Sequence, residues 1–291
     1  MKIIVVTGGA GFVGTNLIKL LLEKTAYKII SIDNYSSGSK KNHLSNKRIS
    51  YIDCHTKNIS EKLNKYRSKI HTIFHFGEFS RIFSSFSDYE TCLDSNNVGT
   101  LEVVKFSHKN RIKLVYSATS ASLGNNSEDQ HLSPYAWSKA KNLDLIINFN
   151  IWFGLKYEII YFYNVYGPHQ ILSGKMAAVM GIFENCVKKK KPLPVVLPGT
   201  QKRNFTHIKE TVLACYTAWK KNKNTHYSIS SKNPTSIIDV AKCFGGRIKF
   251  IDERKGERFK STIAKSVRGI KINNILGKIK IQDYIRGTKK N

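Results

Sequence analysis

An apolar run at residues 3–6 leads into "TGGAGFVG", which places Gly8, Gly11 and Gly14 three residues apart. Glycines at that spacing let a chain leave a buried strand, turn tightly and enter a helix packed close against it. The next segment, residues 16–24, carries its leucines and isoleucine at helical spacing. Strand, glycine turn and helix in that order commit the chain to a parallel sheet crossed by helices. The alternation continues. Apolar, β-branched runs at 27–33, 49–53, 71–77, 112–119 and 157–167 read as strands. Residues 90–110 read as one long helix, and Ser133 with Pro134 opens another that runs to Trp152. The fold class expected is α/β, a Rossmann-type doubly wound parallel sheet with a smaller mixed α/β lobe. Residues 1–165 are expected to form the nucleotide-binding domain. Residues 166–291 would then be mainly a substrate-binding lobe, with some segments returning to the main sheet.

The glycine turn points to a ligand. Gly8 and Gly11 would let backbone approach a pyrophosphate, with Phe12 and Val13 at the start of a helix whose N–H groups face it. Asp33 stands 19 residues after Gly14, at the end of the second strand. A carboxylate there accepts both hydroxyls of an adenosine ribose and repels a 2′-phosphate, so the cofactor expected is NAD and not NADP. Tyr135 and Lys139 in "SPYAWSKAK" are four residues apart and share one helix face. A tyrosine acting as a base near neutral pH needs its pKa lowered by roughly 3 units, and a neighbouring ammonium works in that direction. Thr119, closing the fifth strand, offers a hydroxyl to the same substrate oxygen. Taken alone, Tyr135 would be a packed aromatic and Lys139 a solvated cation; the nucleotide signature gives them a setting.

The net charge of +28, from 48 Lys and Arg against 20 Asp and Glu, permits anionic partners. No zinc-finger spacing or aromatic RNA-binding signature accompanies it, so nucleic acid is not the expected partner. The five cysteines lack CxxC spacing, so no metal site is expected, and reduced thiols suit a cytoplasmic protein. No run is long enough to span a membrane.

These residues resemble the extended short-chain dehydrogenase/reductases, and within them the NAD-dependent nucleotide-sugar epimerase/dehydratase group, UDP-hexose 4-epimerases above all. The likeness runs through nearly the whole chain. It implies that Thr119, Tyr135 and Lys139 are catalytic. It implies cofactor contacts from Asn34 in the loop after the second strand, Asp53 at the adenine, Phe76, Gly77 and Glu78 after the fourth strand, and Asn97 in "NNVGT". "YFYNVYGP" would bring Asn164 to the nucleotide-sugar. "QKRNF" would bring Arg203 to its diphosphate, although Asn204 stands where the family has aspartate. "ERKGE" would offer Arg254 and Glu257 to phosphate and ribose. Two departures stand out. Thr119-Ser120-Ala121 replaces the Thr-Asp-Glu of the family's dehydratases, which leaves epimerisation or reduction. Glu78 sits where the family has a small residue. The resemblance implies a homodimer and a UDP-hexose 4-epimerase working through a 4-keto sugar. A reductase, dehydrogenase or 4,6-dehydratase, or a non-catalytic nucleotide-binding protein, are the alternatives.

Overall fold

The computed structural model describes residues 2–123, 125–257 and 263–289. The strands of its main sheet are β1 (Ile3–Thr7), β2 (Lys28–Asp33), β3 (Ile49–Asp53), β4 (Ile70–His75), β5 (Lys113–Thr119), β6 (Tyr157–Phe162), β7 (His226–Ser231), β8 (Ser266–Val267) and β9 (Ile270–Gly277). They form one sheet in the order 8-9-7-6-5-4-1-2-3. Neighbours run parallel except β8 against β9. The chain steps outward from β1 through β2 to β3, then crosses back to place β4 on the other side of β1. That reversal opens a crevice at the carboxyl ends of β1 and β4, where ligands bind in such sheets.

The longer helices are α1 (Phe12–Lys24), α2 (Gly99–Lys109), α3 (Pro134–Phe153), α4 (Val179–Lys188), α5 (Ile208–Lys221), α6 (Ile237–Phe244) and α7 (Ile281–Lys289). Alternate residues of each strand face opposite sides. Ile3 and Val5 pack under α2 and α3, against Val103, Val104, Leu143 and Ile146. Ile4 and Val6 pack under α1 and α5, against Leu17, Ile18, Leu21 and Val212. Each such fully buried aliphatic side chain contributes about 1.5–3 kcal/mol. A third core, built on Met180, Phe183, Leu193, Val240 and Phe244, belongs to the segments after residue 166. There α4 and α6 cover the parallel pair Leu193–Val196 and Ile248–Ile251. Strands β7, β8 and β9 come from the same half of the sequence but extend the main sheet.

The helix expected over 90–110 is interrupted. It runs as Tyr89–Leu93, a π-helical turn Asp94–Val98, and α2. The turn serves Asn96, whose side chain is fully buried. Asn96 Oδ1 accepts from Phe79 N at 2.7 Å, and its amide donates to Phe79 O at 3.2 Å and Ser138 Oγ at 2.9 Å. A regular helix would not satisfy these long-range partners, and π turns recur at such sites. The start of α3 agrees with the sequence: Ser133 Oγ accepts from Ala136 N at 3.1 Å. No described helix is long and apolar enough to cross a membrane.

Two histidines make the fold acid-sensitive. His75 and His226 are fully buried. Burial lowers each from 6.5 to about 4. Their folded-state pKa lies below the unfolded one, so the unfolded chain binds more protons as pH falls. Stability is therefore full above pH 6.5 and lost progressively down to about 4, by ~3 kcal/mol for each histidine. His55, His71, His169 and His207 shift in the same direction. Melting temperature is expected to hold between pH 7 and 8 and to fall steadily through pH 5, as calorimetry would record. A flat profile down to pH 4.5 would contradict the burial of these rings.

Candidate active site

The crevice at the end of β1 is built by glycine. Gly8 has φ +67°, and a Cβ on it would lie 2.8 Å from the backbone of Phe76 and Gly77 at the end of β4. A Cβ on Gly14 would lie 2.1 Å from Gly8 O, so α1 can sit this close to the turn only without a side chain. No side chain caps α1 at Gly11, which leaves its first-turn N–H groups for an anion. Asp33 ends β2 beside this turn. Its Oδ2 accepts from Ala10 N at 3.0 Å and its Oδ1 from Tyr35 N at 2.9 Å. Burial raises the acid's pKa, and the Tyr35 and Ala10 N–H groups pull it back down. A dinucleotide fits this cradle: the turn takes a pyrophosphate, and each Asp33 oxygen keeps a lone pair for a ribose hydroxyl.

The second wall comes from β5 and α3. Thr119 ends β5, and Tyr135 and Lys139 lie one turn apart on α3, both buried. Burial pushes the Tyr135 phenol up to about 12; the Thr119 hydroxyl and the Arg81 guanidinium pull it down, and Glu78 pushes it up. Lys139 does not act as a lone cation, because its ammonium donates to Glu78 Oε2 and to Ser117 O. Here the structure departs from the simple picture of a lysine charge lowering the tyrosine.

One cleft is lined by Gly8, Gly11, Phe12, Val13, Asp33, Asn34, Phe76, Gly77, Glu78, Thr119, Tyr135, Lys139, Asn164, Arg203, Arg254 and Glu257. Two residues expected at the cofactor stand outside that lining. Asp53 is exposed at the end of edge strand β3, and its neighbours Cys54, His55 and Thr56 face the cleft instead. Asn97 donates to Ser138 O at 3.2 Å and Asn142 Oδ1 at 3.0 Å, tying the π turn to α3. Asn96, one residue earlier, is the one that reaches the β4 loop. Asn142 was visible in principle, since Tyr135, Lys139 and Asn142 recur at helical spacing. Arg81 gave no such signal. It lines the cleft, donating Nε–H to Met176 O at 2.6 Å.

On the far wall Arg203 Nη2 donates to Glu257 Oε1 at 2.6 Å. Arg254 lies 5.3 Å from the centroid of the Phe83 ring. Asn164 adopts φ +37° at the start of the turn after β6. Asn204 is buried away from the cleft and donates to Ser231 O at 2.9 Å. Cations and amides on this side suit a diphosphate. Among the described residues, no three His, Cys, Asp or Glu are grouped to hold a metal ion.

The sequence matches the model of the NAD dependent epimerase/dehydratase family over residues 4–230. It is 26% identical, over 275 residues covering 88% of each chain, to a protein of Methanocaldococcus jannaschii provisionally named UDP-glucose 4-epimerase. It is 27% identical, over 253 residues covering 81% of this chain and 77% of the other, to the UDP-N-acetyl-alpha-D-glucosaminuronate decarboxylase of Bacillus cytotoxicus. The solved structure of the Thermotoga maritima UDP-glucose 4-epimerase with UDP-glucose superposes with a TM-score of 0.82 at 25% identity, covering 90% of this chain and 89% of that one.

Proposed function

This chain belongs to the NAD dependent epimerase/dehydratase family, and on that premise we propose that it is an NAD-dependent nucleotide-sugar epimerase acting at carbon 4 of a UDP-hexose. The observation that carries the reading is that Thr119 and Tyr135 line the same cleft as the glycine turn and Asp33. Bound NAD supplies the hydride acceptor and then the donor, and its positive ring favours the phenolate form of a nearby tyrosine. Tyr135 takes the proton of the sugar 4′-hydroxyl, with Thr119 hydrogen-bonded to the same oxygen. Arg81 adds positive charge beside the phenol. Asn164, Arg203 and Arg254 hold the nucleotide diphosphate while the 4-keto sugar turns over, and Glu257 orients Arg203. Asp33 selects NAD over NADP. The absence of carboxylates at Ser120 and Ala121 speaks against water elimination.

The dehydratases included in the matching family support a second reading, net redox or elimination chemistry on a nucleotide-sugar. Incubation with a panel of nucleotide-sugars, with products resolved by NMR, separates the two. An epimer formed without net NADH change is expected; stoichiometric NADH turnover or a released keto-sugar would favour the second reading.

The proposed enzyme is a homodimer. On α3, Ile151, Trp152 and Phe153 are 67%, 60% and 54% exposed, and Trp137 is 41% exposed. Leu101 of α2 lies on the same side of the sheet at 38%. So much exposed aromatic and aliphatic surface on two adjacent helices suits burial against the same helices of a second copy, as a four-helix bundle. Sedimentation is expected to show a dimer at micromolar concentration, and Trp152→Glu a monomer. A monomeric parent protein would refute the interface.

A further inference from the structure

Dinucleotide binding does not account for the donors gathered on Glu78. Its carboxylate is 3% exposed. Oε1 accepts from Thr100 Oγ1 at 2.9 Å, Asn142 Nδ2 at 2.9 Å and Tyr116 OH at 3.0 Å. Oε2 accepts from the Lys139 ammonium, which also donates to Ser117 O at 2.5 Å. An ammonium has three N–H donors, so one remains for the cleft that Lys139 lines. The network runs in one direction. Thr100 gives its single proton to Glu78, so it accepts from His75 Nε2, 2.8 Å away. His75 Nδ1 then accepts from Thr7 Oγ1 at 2.7 Å, which anchors the carboxylate to the end of β1.

A buried ammonium loses its proton readily unless a carboxylate faces it. We propose that Glu78 is a positioning residue, a buried counter-ion that keeps Lys139 protonated and leaves one of its N–H groups for the ligand in the cleft. The proposal takes from the proposed function only that Lys139 meets the dinucleotide. The other titratable groups facing the pair hold one state near neutral pH. Burial lowers His75 of β4 to about 4 and raises Cys92 to about 11. It also raises Tyr116 of β5 and, to about 12, Tyr135. Arg81, beyond Tyr135, stays charged. Burial pulls Lys139 itself down and Glu78 pulls it up. Lys139 is therefore the group whose proton depends on Glu78.

Carbon-13 NMR of labelled lysine Cε follows that proton directly, with the Lys139 resonance assigned by its loss in Lys139→Met. Lys139 is expected to be protonated at neutral pH in the parent protein. In Glu78→Gln its midpoint should fall by at least about one unit, and Glu78→Asp, which keeps the charge, should restore it. NAD affinity of Glu78→Gln should decline relative to the parent's as pH rises through the lowered midpoint. An unmoved midpoint in Glu78→Gln overturns the proposal. So does a neutral Lys139 in the parent at neutral pH, a measurement that needs no variant to fold. Loss of the epimerase reading, by an active Tyr135→Phe, leaves the lysine titration untouched, so the two ideas fail separately.

Discussion

Turnover by Tyr135→Phe is expected to fall by about 10²–10⁴-fold, the usual loss when a positioned acid-base group is removed. The ring keeps its place, because Tyr135 packs with Ala121, Ala136 and Cys92 through its carbon atoms. Stability and NAD binding should therefore change little. The hydroxyl is what is lost, together with its contact to Thr119. A phenol raised to about 12 by its own protein, with Arg81 already pulling it down, is a poor base at neutral pH, so its ionisation leans on the positive charge of the bound cofactor. Activity of the parent should accordingly climb with pH over the neutral range. Product formation with the best nucleotide-sugar is the measurement to make, since abortive reduction of bound NAD mimics half a cycle. Near-native turnover in Tyr135→Phe would show that the base lies elsewhere. Lys139→Met is a different lesion. It strands the buried Glu78 carboxylate, and breaking one side of such a pair costs about 3–5 kcal/mol.

Asp33→Ala is expected to weaken NAD binding by about tenfold to a hundredfold, the worth of one or two hydrogen bonds to a charged acceptor. It should also erase the preference for NAD over NADP. The carboxylate is held in place by Ala10 N and Tyr35 N. Gly38 packs so near that a Cβ there would lie 2.7 Å from Oδ1. The Ala variant frees those two N–H groups, so its melting temperature should drop modestly as well. Asp33→Asn keeps one acceptor oxygen and separates lost charge from a loosened turn. Calorimetric titration of NAD and NADP into the parent and both variants measures these effects. Equal affinity of the parent for the two cofactors would remove Asp33 from the assigned role.

The strand, glycine turn and helix at the N-terminus were legible because each depends on near neighbours. Gly14 must be glycine to let α1 approach Gly8 O, and that requirement acts across six residues. Ser133, Pro134 and the start of α3 are equally local. Asp33 could be located by counting, since one crossover has a nearly fixed length. The relation between Tyr135 and Lys139 is set by helical geometry alone. The sequence by itself thus determined the doubly wound sheet, the position of the crevice and the helix face that lines it. It did not determine what the charges in the crevice do. Lys139 meets Glu78 across 61 positions of chain, and Arg203 meets Glu257 across 54. Asn96 rather than Asn97 reaches the β4 loop because a π turn inserts one extra residue, and Asp53 lies outside the cleft while Cys54, His55 and Thr56, which follow it, line it. Side-chain partners of this kind are fixed only when strands and helices distant in sequence pack together. Burial then decides which charges must pair, because an ion removed from water is stable only beside a counter-ion the fold has brought to it.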